Sequence, residues 1–544
     1  MKIGMAYIKG ALPGFETFGN LPTDLVKSNG LVNGVPANKE LDGLIIPGGS
    51  IVESESMTND LAIEIKKMAN DGKLILGICS GFQVISSSTD IGRNSPFPIV
   101  KKGLNLLDVN FSPMISNDRV EAYSLNESFL TDGVVEAILG FHCHTYGKIS
   151  TNNKTIIKSR LKRANYDNVD FETISGVIND DGNVVGTMVH GILDNNPQIV
   201  NNIFKFLDSD EEDKINIFNR NKLFKEKINQ EIAIDSGIVI KKDLDFINTI
   251  SSKKNNVNIA NKANITNNFN INNNSNLTGD SIIANSFNFD KNLNSNYNAP
   301  LALFIGSTSS DSGKTFITTG IAGALRKRGL NVGILKIGSD IRDIVPGLYL
   351  TNGLMENYAS IKLGNLGWVD IENVLNSLKS SSYDIVLIEG AMSVLIGLLK
   401  DIMPYSGVEI AISSNIPLLL VSSVNKSGIE SSAVDITNHI NFLKKMGLKV
   451  NGAILNRIYD FNIFKKVLPY IKNHSNLENV FGLGKANLPI RGGTPEVEIK
   501  LEDFAISAHN QVEKDLDIEL IAKMAEVVEF NRFLSSEEIN NFFK

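Results

Sequence analysis

Short, nearly continuous apolar runs alternate along this chain with segments whose apolar positions recur every three or four residues. Lys2–Ile8, Leu41–Ile46, Lys73–Ile78 and Val184–Val189 are runs of the first kind, the pattern of strands buried on both faces. Asp60–Ala69 and Phe82–Ser87 carry the helical spacing. From Asn201 to about Glu231 the period is helical and the composition polar, which closes this first alternation. A break follows, because Ser251–Pro300 holds 18 asparagines in 50 residues with few large aliphatics and no sustained period. Such a stretch buries too little apolar surface to offset its ordering entropy and is expected to be a disordered linker. Beyond it the alternation resumes, with strands at Leu301–Ile305, Asn331–Ile337, Asp384–Ile388, Pro417–Val421 and Val450–Leu455 and a helix over Thr315–Arg328. The pattern predicts the α/β class, with two doubly wound domains. The first spans 1–207, a helical tether and the Asn-rich linker span 208–299, the second domain spans 300–500 and a helical tail spans 501–544.

Composition changes this picture little. A length of 544 residues favours more than one core, and an apolar content of 42% is ordinary for a globular protein. The net charge of -7, with lysines scattered among acids, offers no basic footprint and argues against a nucleic-acid partner. Cys79 and Cys143 are too few for a disulfide framework, which fits a reducing compartment. The opening residues lack the apolar core of a signal peptide, and no window reaches the roughly 18 apolar residues of a membrane span. A cytoplasmic protein without a membrane partner is the expectation. The sequons Asn264-Ile265-Thr266 and Asn276-Leu277-Thr278 read as chance in so asparagine-rich a segment.

Two constellations carry chemistry. The first is Gly77-Ile78-Cys79-Ser80-Gly81, in which an apolar strand runs into Cys79 and Gly81 opens a helix. Small flanking residues permit the tight turn that exposes a nucleophile, and a helix N-terminus beneath the sulfur favours thiolate. The bland reading, a small buried hydrophobe, fits an arbitrary cysteine better than it fits this context. His190, at the end of the strand Val184–Val189, is the candidate base. His142 and His144 flank Cys143 and are the other candidates; metal chelation there is the minor reading, because no partner motif accompanies them.

The second constellation is Gly306-Ser307-Thr308-Ser309-Ser310-Asp311-Ser312-Gly313-Lys314-Thr315, set between a strand and a helix. Backbone amides of such a loop cradle phosphates, the lysine neutralises their oxygens and the threonine hydroxyl reaches magnesium. The usual first glycine falls at Thr308, so the loop is a variant. Few reactions need a cysteine nucleophile and a phosphate loop together. Chief among them is nitrogen transfer from glutamine to a carboxylate that ATP has activated.

The residues around both motifs carry a family resemblance. Pro47-Gly48-Gly49, Gly77–Gln83 and Gly186-Thr187-Met188-Val189-His190-Gly191 resemble the glutaminase domain of class I glutamine amidotransferases, in particular the cobyric acid synthase branch. The resemblance implies that Cys79 attacks the glutamine amide, that His190 moves protons, and that backbone amides near Gly49 and Phe82 or Ser80 form the oxyanion hole. Many class I members carry an acid two residues after the histidine. Here that place is Ile192, so no third acid is evident.

The phosphate loop resembles that of the dethiobiotin synthetase and cobyrinic acid a,c-diamide synthase family. Lys336–Asp343 resembles that family's Lys-x-Gly-Pro-Asp-x-x-Asp segment with Ser339 in place of proline, Asp384–Gly390 its Glu-Gly strand end, and Gly452–Arg457 its Gly-x-x-Leu-Asn-Arg segment. By this resemblance Ser312, Gly313, Lys314 and Thr315 hold the nucleotide and Asn456 reads the adenine edge. Thr315, Asp340 and Glu389 are candidate Mg2+ ligands, and Lys336 faces phosphate or the substrate carboxylate. The bland alternatives are solvated loop acids at Asp340 and Asp343 and a strand cap at Glu389.

Together the resemblances imply a glutamine-hydrolysing, ATP-dependent carbon–nitrogen ligase. Its cofactors would be ATP and Mg2+, and its partners glutamine and a small polycarboxylate, best guessed as a corrinoid or related tetrapyrrole; a homodimer is an allowed assembly. Two other readings are amidation of a different carboxylate and a partitioning-type ATPase switch with a vestigial glutaminase. The latter is disfavoured because 308–312 lacks the extra loop lysine. Domain order departs from the cobyric and cobyrinic acid enzymes, in which the ATPase half precedes the glutaminase half.

Overall fold

A computed structural model describes residues 1–254, 299–400, 403–425, 428–488 and 500–544. The bulk of the Asn-rich stretch, 255–298, lies outside the described residues. The apolar runs of the first half become β1 (Ile3–Ala6), β2 (Asp24–Val26), β3 (Gly43–Ile46), β4 (Leu74–Ile78) and β9 (Val184–Thr187). All five pair in parallel, in the order β9-β4-β3-β1-β2. Every residue of β3, β4 and β9 is buried, as strands covered on both faces require. Helices α1 (Asn59–Asn70) and α2 (Ser80–Ile85) lie in the chain segments on either side of β4.

This sheet has a second half that apolar runs alone do not reveal. β5 (Arg119–Ser124), β6 (Ile138–Phe141), β7 (Lys154–Ala164) and β8 (Asp167–Ile178) add antiparallel strands, giving the order β6-β5-β7-β8-β9 on that side. Residues of β5 and β7 alternate over part of their length between buried and exposed, the signature of a sheet with one wet face.

The second half of the chain folds on a parallel sheet of β10 (Leu301–Ser307), β11 (Val332–Ile337), β12 (Ser360–Ile361), β13 (Ile385–Glu389), β14 (Leu418–Ser423), β15 (Val450–Ile458) and β16 (Val480–Gly484). Their order is β12-β11-β13-β10-β14-β15-β16. The short β17 (Glu526–Val527) joins β10 in antiparallel fashion. The strand order reverses beside β10, which places the loop after it at a switch point where open parallel sheets bind ligands.

The passage between the cores is short. Helices α3 (Pro197–Phe206) and α4 (Glu211–Asp235) belong to the first domain, for Ile217, Phe224, Ile228 and Ile232 join its core. Ile238, Phe246 and Ile250 already join the second core, and residues 244–254 are helical. The chain therefore changes domain between Ile232 and Ile238, where Gly237 takes a φ of 68° that suits glycine. Lys254 bonds the Tyr383 carbonyl at 3.1 Å and Leu301 N–H donates to the Asp384 carbonyl at 3.1 Å, so both flanks of the Asn-rich stretch sit at one place on the second domain.

One close approach fixes the first domain. A Cβ on Gly186 of β9 would fall within the ring of Phe82, which is fully buried and meets Phe111 edge-on at 4.9 Å. Gly186→Ala should therefore overpack this contact and cost roughly 1–3 kcal/mol, read as a lowered urea midpoint. An unchanged midpoint would show that α2 can move away freely.

Candidate functional site

Strand β4 delivers Cys79 to the turn before α2 with a φ of 53°, a left-handed conformation that costs free energy in a residue with a side chain. Its N–H donates to the Thr187 carbonyl at 2.8 Å, which ties the turn to the end of β9. Both flanking glycines are sterically required. A Cβ on Gly77 would meet the Gly81 carbonyl at 2.7 Å, and one on Gly81 would strike the carbonyl of Ile46.

Register brings His190 to the same edge, since Thr187 pairs with Ile78 across the parallel strands. A Cβ on Gly48 would stand 2.7 Å from His190 Cε1 and 3.5 Å from Cys79 Cβ, so these residues converge around one point. The imidazole stacks on Phe141 at 5.2 Å and meets Phe15 edge-on at 5.1 Å.

The third acid that is absent after His190 comes from elsewhere in the chain. Glu16 Oε1 lies 2.5 Å from His190 Nδ1, and Glu16 Oε2 accepts the Gly191 N–H at 2.6 Å. Both side chains are 2% exposed, which leaves the carboxylate no competing water. The expected gap at Ile192 is thus filled by a residue 174 positions earlier, and the pair fixes a tautomer that leaves Nε2 free to accept a proton. No local spacing signals Glu16. Its loop is held by the second domain, where Met355 N–H donates to the Phe15 carbonyl at 3.0 Å and Gly14 sits against Asn352.

The resting sulfur differs from the expectation of a thiolate. Burial, with smaller contributions from Cys143 and Glu53, pushes the Cys79 thiol well above its usual range, and the Ser80 N–H directed at it opposes this only in part. Cys79 therefore rests as a protonated thiol. Of the expected oxyanion donors, Ser80 is aimed at the sulfur, and Gly49 lines the same cavity with a φ of 133° that only glycine adopts readily. The Phe82 side chain packs edge-on against Phe111.

That cavity has a volume of about 520 Å³. His144 lines it with both ring nitrogens buried and unbonded, while His142 reaches Ser116 Oγ at 3.2 Å through Nδ1. Burial holds both neutral, His142 at about 3.

The second site forms around the loop after β10. Lys314 Nζ donates to Ser307 Oγ at 2.9 Å and to the Met392 carbonyl at 2.7 Å, and burial followed by Lys336 lowers its pKa to about 8. Thr315 Oγ1 donates to Glu389 Oε1 at 2.7 Å, and the same oxygen accepts from Lys336 Nζ at 3.0 Å. Lys336 also bonds Asp343 and the Gly390 carbonyl; burial alone would lower its pKa, but Glu389 and Asp343 outweigh it and keep it charged. Glu389 moves upward through burial. Ser312 Oγ donates to the Ser309 carbonyl at 2.8 Å, and Asn456 Nδ2 donates to the Ser312 carbonyl at 2.8 Å while crowding Gly313, so Asn456 braces the loop itself.

Asp340 is not brought into this group. Its Oδ1 accepts from Asn117 Nδ2 at 3.1 Å and Arg342 Nε at 3.3 Å, away from Thr315 and Glu389. Asp343, the loop acid of the same segment, stands there in its place. Asp340 is the N-cap of the 3-10 turn Ile341–Ile344, with a non-helical φ of -82° and ψ of 72°, and so escapes the alignment of residues three apart that the turn itself would impose.

This nucleotide-side cavity, about 640 Å³, includes Lys314, Lys336, Glu389 and Asn456. It shares Thr315, Asp343 and Phe504 with the cysteine cavity, so the two sites are neighbours across one wall. Phe504 comes from α5 (Leu501–Asp515), whose Glu502 accepts from Ser50 Oγ of the first domain at 3.1 Å.

A buried thiol of raised pKa makes a prediction on reactivity. Alkylation of Cys79 by iodoacetamide, followed by peptide mass spectrometry, should climb about tenfold per pH unit through pH 9, because only the thiolate reacts. A plateau below pH 8 would contradict the buried-thiol assignment.

Comparison with known proteins places both halves. Residues 11–198 match the CobB/CobQ-like glutamine amidotransferase domain and 303–489 the CobQ/CobB/MinD/ParA nucleotide binding domain. A cobyric acid synthase of Clostridium botulinum (strain Okra / Type B1) is 34% identical over 163 residues, covering 29% of this chain and 31% of that protein. Phosphoribosylformylglycinamidine synthase subunit PurQ of Staphylococcus saprophyticus is 31% identical over 164 residues, covering 27% of this chain and 68% of the subunit. The chain thus spans about a third of the length of the cobyric acid synthase it matches. Among solved structures, the MinD cell division protein of Aquifex aeolicus aligns over 40% of this chain and 98% of its own at 20% identity and a TM-score of 0.27. Among the described residues no helix is long and apolar enough to cross a membrane. The chain thus carries a CobB/CobQ-like glutamine amidotransferase domain in its first half and a CobQ/CobB/MinD/ParA nucleotide binding domain in its second.

Proposed function

We propose that this protein is an ATP- and glutamine-dependent amide synthase acting on carboxylates of a corrinoid or related tetrapyrrole. The observation that carries the reading is the wall of Thr315, Asp343 and Phe504 common to both cavities. A nucleophile and a phosphate loop that met by accident would have no reason to be neighbours. The cobyric acid synthase similarity supports the macrocyclic substrate.

In the first cavity, Cys79 Sγ attacks the side-chain carbonyl carbon of glutamine while His190 accepts the thiol proton. The Ser80 and Gly49 amides receive the negative oxygen. His190 returns the proton to the departing nitrogen, so ammonia leaves and a glutamyl thioester remains, which water hydrolyses to glutamate. Glu16 stabilises the imidazolium in between.

In the second cavity, the ATP γ-phosphoryl group passes to an acceptor carboxylate, giving ADP and an acyl phosphate. Ammonia crossing the shared wall displaces phosphate and forms the amide. Lys314 and Lys336 offset the charge of phosphate and carboxylate. Magnesium fits this site: Glu389 Oε2 is buried with no hydrogen-bond partner among the described residues, beside the Thr315 hydroxyl and Asp343, a set of hard oxygen donors. Thr315, Glu389 and Asp343 would hold the ion, which would neutralise charge on the transferring phosphoryl group.

The test is amidation of a panel of tetrapyrrole acids with ATP and magnesium, read as a loss of about one mass unit per amide. Cys79→Ala should abolish turnover with glutamine and retain it with free ammonium, whereas Lys314→Ala should remove both; normal glutamine-supported turnover in Cys79→Ala would sink the nucleophile assignment. No amide on any macrocycle, with ammonium-dependent ATP turnover intact, would point to a different carboxylate. Glu16→Gln should lower glutamine-supported kcat by about 10²- to 10⁴-fold, since a mispositioned or wrong-tautomer imidazole is a poor base, with ammonium-supported turnover near normal.

A further inference from the structure

Glutamine presents an α-carboxylate, and a cavity that binds it needs a countercharge. Among the described residues lining the Cys79 cavity, Arg342 is the one lysine or arginine. His144 lines it as a neutral ring, His190 is engaged with Glu16, and Glu53 and Asp343 are acids. Arg342 belongs to the second domain, in the turn Ile341–Ile344. Its guanidinium reaches across the seam, donating from Nη1 to Thr145 Oγ1 at 3.0 Å and lying 5.8 Å from the Tyr166 ring centre, with Nη2 bonded to the Tyr166 hydroxyl. Asp340 holds Nε at 3.3 Å. These contacts fix the guanidinium at the cavity before any ligand arrives, the preorganisation that makes arginine effective toward carboxylates.

We propose that Arg342 binds the α-carboxylate of glutamine, so that a side chain of the nucleotide-binding domain completes the glutaminase site. This rests on the glutaminase reading above. It also gives that site a link to the other, because the next residue, Asp343, lines the nucleotide cavity and bonds Lys336. One peptide unit then joins a glutamine-binding group to a nucleotide-side group.

The full-length protein tests this through protection of Cys79 from iodoacetamide at pH 9, comparing glutamine with 4-aminobutanamide, which keeps the amide and lacks the carboxylate. In Arg342→Ala the half-protecting concentration of glutamine should rise roughly 10- to 100-fold, the range for losing a charged hydrogen-bond partner. The preference for glutamine over 4-aminobutanamide should collapse by the same factor, and Arg342→Lys should recover part of it. Arg119→Ala, which removes a seam contact to Asn357 outside this cavity, should leave the preference intact. An equal loss for both ligands would mean that Arg342 merely supports the seam, and no loss would dismiss it; either overturns the proposal. Failure of glutamine to protect wild-type Cys79 would instead overturn the glutaminase reading itself.

Discussion

The wall formed by Thr315, Asp343 and Phe504 constrains everything around it. For one set of side chains to face a thiol cavity and a phosphate loop at once, two separately wound sheets must meet with their ligand-binding edges opposed. The seam meets this demand with directed contacts. Asn117 reaches Asp340, Ser50 reaches Glu502, Trp368 Nε1 donates to Asp118 at 3.1 Å, and Arg163 bonds Ser339. Apolar contacts add area, for Leu12, Phe15 and Phe141 of the first domain are counted within the second domain's core. Since Phe15 and Phe141 also flank His190, the aromatic support of that imidazole is itself part of the seam.

Buried charge follows from this arrangement. Lys336, Glu389 and Asp343 gather below the phosphate loop, and burying such groups costs several kcal/mol per ion unless each is paired. Lys336 has three partners, yet Glu389 keeps one buried oxygen unbonded. The Glu16–His190 pair is the opposite case, with both carboxylate oxygens occupied and nothing left over.

Much of this was legible from residue order. Parallel strands read as apolar runs because both faces are covered, so β3, β4, β9, β10 and β13 fell within a residue or two of their structural bounds. The cysteine turn and the phosphate loop were legible because glycines are demanded by sterics there. The ribbon of β7 and β8 was hidden because β7 interleaves buried with exposed positions and β8 stays exposed or half-buried until its last four residues, so neither is an apolar run. Glu16, Arg342 and the exchange of Asp340 for Asp343 were hidden for a different reason: each is placed by contacts between distant segments, and no local period encodes a seam.

The passage of the chain at Ile232–Ile238 gives the asparagine-rich stretch another meaning. Because Lys254 and Leu301 are both fastened beside Tyr383 and Asp384, the stretch begins and ends on one body. Among the described residues the covalent link between the two sheets is therefore the few positions around Gly237, and the length of chain between Lys254 and Leu301 does not enter the spacing of the two cavities.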